Sequence, residues 1–191
     1  MPPSSRDTLV QLLREGGREG GGEAAAVTGL IGELEANAPA DLAAPGSLEQ
    51  LEGVWDLRWS SSRQPYLRPS RWLENLQLLV PSQGRAMNLL RPAGLLGSAL
   101  GLAVEARIAV ASAQRVEVHF QRGGWLGPRL TPTGQRLRLL RRVSQPFPAW
   151  LDITVLDAEL RICRGSAGTL FALLRRPDLT VGDLLPPLPS E

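Results

Sequence analysis

At Gly53 the spacing of apolar residues changes from every third or fourth position to every second, and that change constrains the fold more than anything else in the sequence. Alternation puts successive side chains on opposite faces, as a half-buried strand requires. Trp55, Leu57 and Trp59 share one face, opposite Val54, Asp56, Arg58 and Ser60. Leu76, Leu78 and Val80 alternate next, and Pro81–Gly84 supplies a turn into Arg85–Leu90. Val104, Ile108 and Val110 alternate against Glu105 and Arg107, and Val116, Val118 and Phe120 against Glu117 and His119. A Gly/Pro-rich stretch at 123–135 reads as a loop before Gln135–Val143; Trp150–Leu156, Glu159–Arg164 and Thr169–Arg175 complete the series. About nine short strands in sequence leave raw edges unless the sheet closes, so an up-and-down barrel is expected, with a β-sandwich as the alternative. A barrel of about eight strands is the size that holds one small ligand.

The first fifty residues follow the other period. Leu9, Leu12 and Leu13 recur at helical spacing after Asp7, an expected N-cap. Gly16–Gly22 breaks that helix. Val27, Leu30, Ile31 and Leu34 mark a second helix, ended by Asn37-Ala-Pro39. Ser47-Leu-Glu-Gln50 fits a capping box and predicts a third, very short one. The expected organisation is a helical segment over 1–52 packed on a β-barrel over 53–191, together a single mainly β domain.

Charge divides along the same boundary. Residues 1–53 carry nine acids against three arginines, and residues 54–191 carry eighteen arginines against ten acids. An acidic lead and a basic body are compatible with an anionic surface as partner, or with two segments that attract each other. Every positive side chain is arginine. Seven of them, Arg115, Arg122, Arg129, Arg136, Arg138, Arg141 and Arg142, lie in one region with only Glu117 to oppose them. That stripe is either a face for an anionic leaflet or a solvated exterior. The region has only Phe120 and Trp125 as aromatics, so nucleic acid is not an expected partner. The opening residues have no apolar core of a secretory signal, and a lone Cys163 points to a reducing compartment. The longest uncharged run, Pro92–Val104, is thirteen residues. It is too short to span a bilayer, which takes about twenty. It reads as a helix over the barrel end or a lid at its mouth.

Catalytic chemistry has little to stand on. His119 is the only histidine and has no cluster of Cys or carboxylates near it, so neither a metal site nor a nucleophile–base pair is expected. Asp157-Ala-Glu159 reads as a turn with caps, and Asp152 as the partner of an arginine. Cys163 reads as a small buried filler or a half-exposed thiol.

The segment Trp150–Leu174 resembles the C-terminal signature of the fibrillins, also called plastid lipid-associated proteins. Asp152, Leu156, Asp157, Leu160, Arg161, Ile162, Arg164, Gly165, Gly168, Thr169 and Phe171 match it. Leu34–Pro39, Gly53-Val-Trp55 through Ser62, Asn75 and Asn88 extend the similarity over nearly the whole chain. Val155 departs from it, since the family usually has tyrosine there. The resemblance implies a lipocalin-like antiparallel β-barrel and a cytoplasmic cyanobacterial protein, peripherally associated with thylakoid membranes or lipid globules. It also implies non-catalytic binding of a carotenoid, prenyl quinone or lipid, with no cofactor. A coat or scaffold without a ligand, and a bilin lyase or chaperone, are the alternatives.

Gly53-Val-Trp55 also resembles the Gly-x-Trp opening of lipocalins, where the tryptophan plugs one barrel end beneath an arginine. Arg164 shares strand parity with Leu160 and Ile162, so it is the expected partner of Trp55, or else the holder of a ligand head-group. Parity assigns the cavity lining to Trp55, Leu57, Trp59, Leu76, Leu78, Val104, Ile108, Val118, Phe120 and Ile153, with inner and outer faces interchangeable at this level.

Overall fold

The computed structural model describes residues 3–15, 24–94, 97, 100–130, 135–144 and 149–185. Among them nine antiparallel strands form one sheet, and eight of those close into a ring. β1 (Gly53–Ser60), β2 (Leu73–Val80), β3 (Arg85–Pro92), β4 (Gly101–Val110) and β5 (Arg115–Leu130) pair in sequence. β5 then pairs with β7 (Ala149–Leu156), which leads through β8 (Leu160–Gly165) to β9 (Leu170–Arg175), and β9 returns to β1. β6 (Gln135–Arg142) stands outside the ring, paired with the second half of β5.

The stretch at 123–135 therefore differs from the loop expected of it. β5 runs unbroken to Leu130 as a strand, and residues 131–134 lie outside the described residues. Its glycines belong to the strand because β6 crosses it closely: a Cβ on Gly124, whose φ is +155°, would come within 2.1 Å of the Leu139 carbonyl oxygen. Glycine inside a strand marks such an approach as often as it marks a break.

Each ring strand gives its inward residues to one buried cluster: Trp55 and Leu57 from β1, Leu79 from β2, Ala86 from β3, Ala106 and Ile108 from β4, Val116 and Val118 from β5, Ile153 from β7, Cys163 from β8 and Leu173 from β9. Two further clusters lie on the outer surface. Helix α1 (Ser5–Glu15) and helix α2 (Ala24–Asn37) bury Leu9, Val10, Leu13, Val27 and Ile31 against Val155, Leu160, Ile162, Leu170, Ala172 and Leu174. On the other side, Leu184 and Leu185 cover Val54, Leu76, Leu78 and Leu89, with Leu184 closing the short helix α4 (Val181–Leu184).

The helical ends differ in detail from expectation. The Ser4 hydroxyl, and not Asp7, caps α1, accepting from the Asp7 N–H at 3.1 Å. Helix α3 (Ser47–Leu51) starts from Gly46 in the left-handed region, and Ser47 donates its hydroxyl to the Asp41 carbonyl instead of capping. The glycine already turns the chain there, so no side-chain cap is formed. The Gly16–Gly22 break lies outside the described residues, as do residues 95, 96, 98 and 99 of the Pro92–Val104 run; the rest of that run is shorter as a connection than expected, because Pro92 ends β3 and Gly101–Val104 open β4.

Opposite charges tie the layers together. Arg6 of α1 reaches Asp157 at 2.6 Å and Glu159 at 3.3 Å in the β7–β8 turn. Asp157 also accepts from the Glu159 and Leu160 N–H groups, both at 2.8 Å, which is the capped turn the sequence implies. Glu105, buried on the outer face, takes Arg122 and Arg138, and Asp152 takes Arg115.

Candidate functional site

One end of the ring is closed by the chain that leads into it. Ala40 and Leu42 donate their N–H groups to Thr154 and Ala113 carbonyls, which lays residues 40–51 across that end. Leu42 and Leu51 drop into the inner cluster, and beneath them the Trp55 indole donates to the Leu51 carbonyl at 3.0 Å. Arg175 stacks on Trp55, 4.3 Å from the ring centre, and donates to the carbonyls of Glu52, Gln50 and Ala158.

Above this plug lies a cavity of about 280 Å³. Its walls are Leu79, Ala86, Val104, Ala106, Ile108, Val116, Val118, Phe120, Leu151, Ile153 and Phe171. The far end is bordered by Ser62, Gln64 and Leu67, from the β1–β2 connection, and by Ser166, Ala167 and Thr169, from the β8–β9 turn. A concave, mostly apolar space with a few polar groups is the usual form of a small-molecule site. The volume is just below the ~300–1,000 Å³ typical of sites for drug-sized ligands.

The floor holds a charge. Arg161 is 0% exposed, lines the cavity, and lies 5.1 Å from the centre of the Trp55 ring. Its Nη2 donates to the Gln77 amide oxygen, while Nε and Nη1 have no hydrogen-bond partner among the described residues. The Cys163 thiol lies against the same guanidinium, but a thiol is a weak acceptor. Burial pushes the Cys163 thiol above its ordinary value and lowers the Arg161 guanidinium from its own, with Arg175 adding repulsion at Arg161.

The sequence-expected lining divides between surfaces. Val104, Ile108, Val118, Phe120 and Ile153 line the cavity, and Trp55 and Leu57 lie in the inner cluster. Leu76 and Leu78 face outward beneath Leu184 and Leu185, so β2 turns Gln77 and Leu79 inward. Trp59 packs against the α1–α2 cluster, because the β1–β9 register shifts between Leu57 and Trp59. Such an irregularity exchanges the faces of all residues beyond it.

Arg164 is neither the partner of Trp55 nor in the cavity. It lies on the outer surface, where it pairs with Glu35 of α2 at 2.9 and 2.5 Å. Parity with Leu160 and Ile162 is real, but helices cover that face of β8, so its apolar residues point outward and Arg161 and Cys163 point inward. Strand parity sets Arg161 aside in favour of Arg164 as the partner of Trp55, and the structure reverses that choice; apolar patterning does not point to Arg175 or Gln77 at all. The signal for them was the second arginine in Arg161-Ile-Cys-Arg164 and a lone Gln77 amid leucines.

Among the described residues no group of three His, Cys, Asp or Glu is placed to hold a metal, and no helix is long and apolar enough to cross a membrane. His119 is exposed, 3.9 Å from Glu117. Comparison with curated proteins and with solved structures returns no match. The model of the PAP_fibrillin family matches residues 8–174, from α1 through β9, and the chain therefore belongs to that family of plastid lipid-associated proteins.

Proposed function

We propose that the ring is a lipocalin-like barrel that binds one hydrophobic small molecule, a carotenoid, prenyl quinone or lipid, without turning it over. The observation that carries this reading is the apolar cavity of about 280 Å³ inside the ring. Membership of a lipid-associated family supports it. A space of this size encloses a small ligand whole, or the end of a longer one whose remainder leaves past Leu67 and Ala167. Apolar burial drives such binding at about 25 cal/mol per Å² removed from water.

The same reading places the protein peripherally at thylakoid membranes or lipid globules. Leu102, Trp125 and Leu139 lie side by side across β4, β5 and β6, all exposed, with Arg141 and Arg142 on the same strand as Leu139. Apolar residues for the lipid interface and arginines for anionic head-groups, at about 1 kcal/mol each near the surface, suit peripheral contact.

The test is to purify the chain from a photosynthetic host without detergent, extract it with organic solvent and identify the extract by mass spectrometry. A stoichiometric carotenoid, quinone or lipid is the expected result. A repeatedly empty extract, together with salt-sensitive flotation on anionic vesicles, overturns ligand binding and leaves a coat or scaffold.

A further inference from the structure

Arg161 poses a problem that the proposed binding site resolves. Its guanidinium is fully buried and meets no carboxylate among the described residues. Its hydrogen-bond partner Gln77 is neutral, the Trp55 ring is neutral, and the nearest other cation, Arg175, is occupied by three backbone carbonyls. Nε and Nη1 are left without acceptors. A buried charge is normally compensated by an opposite charge with hydrogen bonds, because burial without one is strongly unfavourable. Other buried charges in this chain obey that rule: Glu105 has Arg122 and Arg138, and Glu74 has Arg91 and Arg176. Arg161 differs from them in lining the cavity.

Resting on the reading that the cavity binds an apolar molecule, we propose that its ligand is a monocarboxylate amphiphile of the fatty-acid class, bound head-down. The carboxylate pairs with Arg161 beside Gln77, and the chain rises past Ile108, Val118 and Phe120 to the end bordered by Leu67 and Ala167. A planar guanidinium donating through two nitrogens matches the two oxygens of a carboxylate. One positive charge on the floor matches one negative charge. A phosphate monoester brings nearly two charges, and among the described residues Arg161 is the cation that lines the cavity. Neither Nε nor Nη1 is reached by solvent, so engagement requires the guanidinium to turn about its last side-chain bonds.

The experiment measures displacement of a neutral apolar dye, N-phenyl-1-naphthylamine, from the full delipidated chain by laurate and by methyl laurate, at pH about 8 where the acid is ionised. Laurate is expected to displace the dye at a concentration at least about tenfold lower than its ester. In Arg161→Gln that preference falls to within about threefold while the ester binds as before. Equal displacement by acid and ester on the unaltered chain overturns the head-group assignment and leaves the cavity reading standing. Failure of dye, acid and ester alike overturns both. If Arg161→Gln does not fold, Gln77→Glu replaces it, since it sets a resident carboxylate beside Arg161. That variant is expected to be at least as stable as the unaltered chain and to lose its preference for laurate. A tenfold preference retained there also overturns the proposal.

Discussion

Arg175 and Trp55 close the ring from one side: the guanidinium lies 4.3 Å from the indole centre and donates its own N–H groups to carbonyls of the chain entering β1. The ring and the cap over it are thereby one packing unit. Trp55→Ala is expected to cost about 3–5 kcal/mol, as large-to-small changes of buried aromatics do. Arg175→Met, which keeps the stem but leaves carbonyls unpaired, is expected to cost roughly 1–3 kcal/mol. Urea titration followed by circular dichroism checks both. A Trp55→Ala cost under about 1 kcal/mol contradicts the plug.

Arg164→Ala separates the outer arginine from the inner one. The Arg164–Glu35 pair is partly exposed, with Arg164 about half open to solvent. Its loss should cost no more than about 1 kcal/mol. Ligand affinity should be unchanged, since the pair lies on the far side of β8 from the cavity. A folded Arg164→Ala protein with weakened ligand binding would mean that Arg164 faces the cavity.

Acid should unfold the protein through its paired carboxylates. At Glu35, Glu74 and Asp157 burial raises the carboxyl, but hydrogen bonds more than reverse it, from arginine in each case, joined by Thr154 at Glu35 and by the Glu159 and Leu160 N–H groups at Asp157; at Asp152 and Asp178 the arginine bond itself dominates. All five end below their ordinary values, 4.5 for Glu and 3.8 for Asp. A folded pKa below the unfolded one gives stability that is present above the unfolded value and lost as pH falls through the folded one. Urea midpoints should therefore be level between pH about 7 and 5 and drop below pH about 4.5. Glu74→Gln, which leaves Arg91 and Arg176 without their shared carboxylate, should lose roughly 1–3 kcal/mol at neutral pH and show a shallower acid limb. An unchanged acid limb in that variant counts against Glu74 as a contributor.

Gly124→Ala tests the close crossing of β5 and β6. The new methyl would collide with the Leu139 carbonyl oxygen, at a φ that L residues rarely adopt. The cost should be about 1–3 kcal/mol, confined to the outer half of the hairpin. Amide exchange should accelerate over β6 while the ring strands keep their protection. Uniform loss of protection would mean that β6 and the ring open together.

Period alone revealed the strands, because alternation is a property of each segment by itself. It also revealed α1 and α2, from Leu9, Leu13, Val27 and Ile31. What it could not settle is which face of a strand looks into the ring. That depends on what covers the outside, and in β8 the helices make Leu160 and Ile162 outward residues. Trp59 was misplaced for a different reason: a register shift after Leu57 leaves no trace in composition. The glycines at 123–127 punctuate most sequences, and only the nearness of β6 shows why they lie within a strand here. The cavity's charge was hidden because an inward arginine contradicts the rule that inner faces are apolar.

Every ring strand has a neighbour on both sides, but among the described strands β6 hydrogen-bonds to β5 alone. That strand is therefore where a second molecule would begin to add its own sheet, as growing fibrils do. It carries the exposed Arg141 and Arg142 side by side at its end. Two copies meeting along this flank bring guanidinium against guanidinium, a repulsion that reaches about 10 Å in dilute salt and shrinks as salt rises. Colloidal behaviour thus follows from one unclosed strand: molecules stay apart at low ionic strength, and concentrated salt or polyanions remove the barrier to polymerisation.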